Sequence, residues 1–287
     1  MCFRDLILSM LLLGVIAAGR TQTPGVSCTA EDRQRFEELM GELDAVASAS
    51  VGATMIAAGT HFLKTPYVAG TLEMEGEERL VVNLRGLDCT TFVENVLAIS
   101  RMKSMGTSDW GTYLQNLEQI RYRDGRVQGY PSRLHYFTDW IRDNEKKGLV
   151  KDITPQLGGV SAVKEINFMG THPELYPALA EEADLIAIRA TEMALSSKTL
   201  SILPAAEVAA QERSLQDGDI IALATSIPGL DVTHTGIALT GADGRIHLLH
   251  ASTEGAVMIS REPLSEYLSK IGKNTGIIVV RPQEPEN

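Results

Sequence analysis

The run His234-Thr235-Gly236-Ile237-Ala238-Leu239-Thr240-Gly241-Ala242-Asp243-Gly244-Arg245-Ile246-His247-Leu248-Leu249-His250-Ala251 decides the fold of this 287-residue chain. Two apolar stretches flank Gly241, Asp243 and Gly244, which supply the backbone freedom of a hairpin turn, so the run reads as antiparallel strands over 234–240 and 245–251. Further short runs rich in Ile, Val and Leu, bounded by Gly, Asp and Pro, predict strands at 219–224, 256–259 and 276–281. Before Pro204 the texture is different. Phe36, Leu39, Met40, Leu43 and Val46 recur at three- and four-residue spacing and predict a helix within 29–58. Helices are also expected at 108–120, at 132–147 with Leu134, Phe137, Trp140 and Ile141 on one side, and at 174–195. A loop containing Pro66 and Gly70 and a strand-like segment at 79–84 lie between them. A helical first part followed by a sheet implies an α+β fold.

The segment Leu87-Asp88-Cys89-Thr90-Thr91-Phe92-Val93-Glu94-Asn95-Val96-Leu97 opens one of these helices. Asp88 is a natural N-cap, and Cys89 then sits in the first turn, where the helix terminus favours a thiolate and free amides can hold an oxyanion. The same segment supports a plainer reading. Cys89, Phe92, Val93, Val96 and Leu97 follow the spacing of a core-facing stripe, so a buried, inert thiol fits equally. A nucleophilic cysteine needs an imidazole to take its proton, and that imidazole needs an orienting group. His234 at the start of one hairpin strand and His250 at the end of the other meet both needs if the hairpin forms. Gly236, two residues after His234 on the same strand face, leaves room for a close approach. His247 points to the opposite face from His250. His61, His135 and His172 read as packing or surface histidines.

Charge and address narrow the function classes. The formal net charge is −11, which makes nucleic acid an unsuitable partner. Arg4 followed by an apolar run from Leu6 to Ala18, ending Ala17-Ala18-Gly19, reads as a secretory signal over 1–19, with an uncleaved anchor as the alternative. Its removal takes Arg4 and Asp5 together and leaves the net charge at −11, with no stable membrane span expected in the remainder. Residues 20–30 read as a linker. Cys2 departs with the signal, so Cys28 and Cys89 could form at most one disulfide, or Cys28 could carry a lipid. The body of the protein is expected outside the cytoplasm, periplasmic or extracellular.

Thr65-Pro66-Tyr67, Asp88-Cys89, His234-Thr235-Gly236-Ile237 and His250-Ala251-Ser252 occur in the order found in papain-like enzymes. With them the chain resembles the NlpC-type cell-wall cysteine peptidases and, among these, the N-acetylmuramoyl-L-alanine amidase-like family. Ser132-Arg133-Leu134-His135-Tyr136 with Asp139-Trp140-Ile141 resembles that family's helical elaboration. Thr90-Thr91 stands where the common pattern has Ser-Gly, and the Cys89-to-His234 separation is longer than usual. The resemblance implies a single papain-like hydrolase domain over 31–285, with a helical insertion at about 104–200. It implies a Cys89/His234/His250 triad, with Tyr67 lining the site, no cofactor and no metal. The implied substrate is peptidoglycan or a muropeptide, cut at the lactyl amide to L-Ala or at the γ-D-Glu to diamino-acid bond. Asp88 is expected beside the substrate, and Arg133 is a candidate for gripping a carboxylate. Two rivals are a zinc hydrolase with Cys89, His234 and His250 as ligands, and a muropeptide-binding module without catalysis.

Overall fold

A computed structural model describes residues 25–44 and 50–285. The expected signal at 1–19 lies outside the described residues. Strand β1 (Val26–Ser27) precedes helices α1 (Ala30–Asp44) and α2 (Val51–His61) and pairs in parallel with β2 (Leu80–Val81). The segment 20–30 is therefore more than a linker, because part of it is a strand. Helices α3 (Cys89–Ser104), α4 (Trp110–Arg121) and α5 (Phe137–Lys146) come next. They are followed by β3 (Val150–Asp152), β4 (Val160–Ala162), α6 (Phe168–Thr171), α7 (Glu182–Ser196) and β5 (Leu200–Pro204). The C-terminal part runs α8 (Val208–Gln211), β6 (Ile220–Thr225), β7 (Val232–Thr240), β8 (Ile246–Ala251), β9 (Val257–Ile259), α9 (Leu264–Ser269) and β10 (Asn274–Pro282).

The architecture is α+β, with helices packed on an antiparallel sheet of order β4-β5-β10-β6-β7-β8-β9, and β3 paired to β10. The hairpin forms in the expected register, with Ile237 opposite Leu249. Gly244 takes φ +73°, and the Gly241 N–H bonds the Arg245 carbonyl at 2.8 Å. Every residue of β6 and β8 is buried, because the sheet is covered on both faces. Ile220, Ala222, Ile237 and Leu249 pack with α1 to α5, whereas Ile221, Leu223, Ala238 and Leu248 meet Val208, Leu264 and Leu268. Helix α3 is buried continuously from Thr91 to Met102, so it serves as the central post of the helical layer.

The region 104–200 is not purely helical, since β3, β4 and β5 extend the sheet. β3 and β4 have three residues each, too few for alternation to be visible in the sequence. The helix expected at 132–147 begins only at Phe137, after a 3₁₀ turn at Tyr130–Ser132 that contains Pro131. The helix expected at 174–195 begins at Glu182, because Pro173 and Pro177 hold the preceding residues in 3₁₀ turns. Around α6 and α7, Tyr136, Met169, Leu179, Ile188 and Leu195 form a separate small core. Its polar tie is the Tyr136 hydroxyl, which donates to Glu192 Oε1 at 2.6 Å and accepts from the Met169 N–H at 2.9 Å. Among the described residues no helix is long and apolar enough to cross a membrane.

Candidate active site

The N-terminus of α3 is fixed by a reciprocal cap. Asp88 Oδ1 accepts from the Thr91 N–H at 2.7 Å, and Thr91 Oγ1 accepts from the Asp88 N–H at 2.9 Å. The second threonine of Thr90-Thr91 thus holds the cap, and the Asp88 carboxylate is engaged by the protein itself. Cys89, in the first helical turn, is half-buried and opens into a cavity of about 170 Å³. Thr90, His234 and Thr235 share this cavity with it. The Cys89 and Thr90 N–H groups donate to no acceptor among the described residues, as the open end of a helix requires.

His234 and His250 come together from the two hairpin strands. His234 Nε2 lies 2.6 Å from His250 Nδ1, with the rings edge to face. One nitrogen donates and the other accepts, which fixes the orientation of the His234 ring. Gly236 explains how two bulky rings fit so closely between adjacent strands. A Cβ there would stand 2.8 Å from Leu248 Cδ1 and 3.0 Å from His250 Cβ, so a side chain would force Leu248 and His250 to shift. His247 faces away and is held by the Ser260 carbonyl and Asp243.

Burial sets the protonation state of the cluster. It raises the Cys89 thiol above its ordinary value, with help from the negative charge of Asp88, while weaker hydrogen bonding from Thr235 and Thr90 opposes the shift. The preformed thiolate expected from the helix terminus is therefore not what this environment favours. Desolvation lowers His234 to about 3, aided by His250, and lowers His250 to about 4. At neutral pH the group consists of a thiol beside two uncharged imidazoles, an arrangement in which the ring can accept a proton.

Linkage makes this testable through stability. The unfolded imidazole titrates near 6.5, so below that pH the unfolded chain takes up protons that the folded chain refuses. The stability is complete above the unfolded value and declines as the pH falls toward the folded one. For the buried His250 alone the loss at pH 5 is about 2 kcal/mol. Thermal melts should show a steeper fall between pH 7 and pH 5 for the parent than for His250→Gln, and parallel slopes would refute neutral burial.

Other side chains complete the cleft. Tyr67 lies beside Cys89 and Asp88, and burial, followed by the influence of those two neighbours, raises its phenol. Tyr267 on α9 packs edge to face on His250 at 5.5 Å between centroids, and burial, Glu254 and Cys89 raise its phenol. His135, Tyr136, Phe137, Met169, Tyr176 and Asp231 line the 170 Å³ cavity. His135 rests against the Tyr130 ring, with Nε2 3.0 Å from the Tyr130 carbonyl, and burial lowers its imidazole to about 3. Asp231 is buried and accepts from the Thr138 N–H at 2.7 Å and the Thr138 hydroxyl at 2.8 Å, so it caps α5 against the cleft. Arg133 lies outside this group. Its guanidinium is buried, donates to the Leu72 carbonyl at 2.9 Å and Glu73 at 2.6 Å, and faces Glu78 at 3.6 Å. Cys28 is exposed and Cys89 is free, so the two form no disulfide.

Residues 57–277 match the profile of the family described as N-acetylmuramoyl-L-alanine amidase-like. The chain belongs to that family. A comparison with curated protein sequences gives no match. Among solved structures, this amidase-like chain is similar to an N-acetylmuramoyl-L-alanine amidase from Bacteroides uniformis ATCC 8492. The two are 41% identical with a TM-score of 0.78, over 82% of this chain and 99% of that one. A Bacteroides fragilis structure that carries a provisional xylanase name is 42% identical, with a TM-score of 0.73 over 78% of this chain and 98% of its own. A Legionella pneumophila protein at 20% identity and TM-score 0.66, covering 88% of this chain and 97% of its own, shares the fold.

Proposed function

We propose that this protein is an exported N-acetylmuramoyl-L-alanine amidase of the papain-like NlpC type. In this reading it cleaves the lactyl amide of peptidoglycan fragments with Cys89 as nucleophile. The observation that carries the reading is the His234–His250 contact at 2.6 Å beside a cavity that also holds Cys89, in a chain of the amidase-like family. His234 takes the thiol proton as the sulfur attacks the amide carbon, which couples deprotonation to substrate arrival and suits a thiol raised by burial. The free Cys89 and Thr90 N–H groups face the developing oxyanion. His234 then returns its proton to the leaving nitrogen of L-Ala, and water hydrolyses the thioester. His250 holds the His234 ring, and Tyr67 flanks the sulfur.

A glycosidase reading, suggested by the xylanase name, fits poorly. Such enzymes need two carboxyl groups flanking the bond, and both Asp88 and Asp231 are engaged at helix caps. A zinc site also fits poorly. Two tetrahedral ligands at about 2.0–2.1 Å from zinc sit roughly 3.3 Å apart, whereas these nitrogens are 2.6 Å apart and face each other. Mass spectrometry of a defined muropeptide digest tests the proposal. Free muramyl sugar with an intact stem is the expected result. A muramyl dipeptide product would transfer the activity to the γ-D-Glu bond, and binding without cleavage would leave a non-catalytic module.

A further inference from the structure

The His250 imidazole meets His234 through Nδ1, and its other nitrogen bonds no group among the described residues. A half-turn of that ring about its Cβ–Cγ bond would put a carbon where Nδ1 stands and break the contact with His234. One hydrogen bond opposes the turn. The second restraint is Tyr267, whose ring meets the imidazole edge to face at 5.5 Å between centroids. With that ring in place His250 is 2% exposed, although a polar hollow of about 300 Å³, bordered by Ser252, Glu254 and Tyr267, adjoins it.

The helix that carries Tyr267 is docked by its other residues. Leu264 and Leu268 of α9 are buried in the second core. Ser265 Oγ donates to Glu212 Oε1 at 2.7 Å, and Arg245 Nε donates to Glu212 Oε2 at 2.5 Å. The Tyr267 hydroxyl bonds no group among the described residues, so the contact with His250 is made by the ring. The titratable groups around His250 are His234 on β7, Cys89 on α3, Glu254 in the turn after β8, and Arg261, Glu262 and Lys270 around α9. Met258, its partner on β9, is uncharged, and Lys270 is paired with Glu262. Burial alone lowers His250 to about 4, so cover rather than charge keeps this ring neutral.

We infer that Tyr267 is a positioning residue, whose ring closes the back of His250 and keeps that imidazole aligned on His234. The assignment rests on the amidase reading for the step it serves. When His234 takes the Cys89 proton it becomes a cation, and its Nε2–H needs an acceptor. His250 Nδ1 is that acceptor only while it carries no proton. A protonated His250 would set a second cation 2.6 Å from the first, and a turned His250 would offer a C–H. A smaller side chain at 267 opens the 300 Å³ hollow onto the imidazole, and a hollow so polar and roomy takes water. Hydration then raises His250 toward its ordinary value of about 6.5.

Tyr267→Phe and Tyr267→Leu separate ring cover from mere support of α9. On a muramyl-peptide substrate, Tyr267→Leu should lower kcat about tenfold with KM nearly unchanged. The acid limb of its kcat/KM profile should move up by at least about one pH unit, whereas Tyr267→Phe should restore both. A merely structural loss lowers the height of the profile and leaves the limb in place. Proton NMR of the histidine rings in the full protein, with the His250 signal identified by its loss in His250→Gln, reads the same change without turnover. His250 should titrate near 4 in the parent and at least about one pH unit higher in Tyr267→Leu. Should the leucine variant not fold, Tyr267→Met, with an unbranched side chain that fills irregular space, repeats the comparison. An acid limb or a His250 titration that stays with the parent in Tyr267→Leu, or a phenylalanine variant as impaired as the leucine one, would overturn the assignment. If none of these proteins cleaves a muramyl amide, the NMR titration decides alone. A raised His250 value then keeps the positioning role while the amidase reading falls, and an unmoved value removes the role.

Discussion

Cys89→Ala is expected to lower turnover of a muramyl-peptide substrate by at least about 10⁴-fold while shifting stability by less than about 1 kcal/mol. The small stability effect follows from its half-buried place at the end of α3 rather than in the helix's buried middle. The large rate effect follows if the sulfur forms the acyl intermediate, because the remaining groups have nothing to activate. His234→Ala should cost nearly as much, and the double variant little more than either alone, since a nucleophile and its base act as one unit. Additive losses would contradict the pairing. A second measurement separates a coupled proton transfer from a resting ion pair. With the thiol raised above its ordinary value of about 9 and His234 lowered to about 3, the thiolate fraction grows as pH rises from 7 to 9. Alkylation of Cys89 by iodoacetamide should accelerate nearly tenfold per pH unit over that range. A rate flat from pH 5 to pH 9 would instead indicate a thiolate–imidazolium pair.

The parts of this site that were legible in the sequence are those written in local code. Gly241-Ala242-Asp243-Gly244 specifies a hairpin, and the hairpin brings His234 and His250 together. Asp88 three residues before Thr91 specifies a cap, and the cap sets where Cys89 begins α3. What stayed hidden depends on distant chain segments. Helix α5 starts at Phe137 without a local side-chain cap, because its cap comes from Asp231, 93 positions away from Thr138. Tyr267 carries no signal in the sequence, and only the packing of α9 on the sheet brings it to His250. His135 read as a packing histidine, yet it lines the cleft. Arg133 read as a ligand for carboxylates and does bind them, but they are the protein's own Glu73 and Glu78. Pro177 inside the expected 174–195 helix was a signal available in the sequence, and helical spacing obscured it.

The largest stability effect is expected far from the cleft mouth, at Arg121→Ala. Arg121 ends α4 with its side chain 1% exposed, facing Glu94 on α3 at 2% exposed. Arg121 Nε donates to Glu94 Oε2 at 2.6 Å, and Nη1 donates to the Val81 carbonyl of β2 at 2.5 Å. Burial raises the Glu94 carboxyl, and Arg121 is the main influence drawing it back. Truncating Arg121 therefore leaves a buried carboxylate without its counter-ion, an unmet carbonyl and a cavity, a combination that costs about 3–5 kcal/mol. Glu94→Gln keeps the shape and one acceptor but leaves the buried Arg121 guanidinium without its counter-ion, so it should also be strongly destabilising. Arg121→Met with Glu94→Leu should recover much of the loss, because replacing both partners removes the stranded charge. Denaturant melts of the single and double variants measure these differences. The consequence for catalysis runs through α3. Glu94 lies about one and a half turns from Cys89 on the same helix, so loosening the α3–α4 pair should blur the position of the sulfur. Arg121→Ala should then lower kcat at temperatures well below its own melting point, and an unchanged kcat in the folded variant would show that α3 holds Cys89 through its cap and the sheet alone.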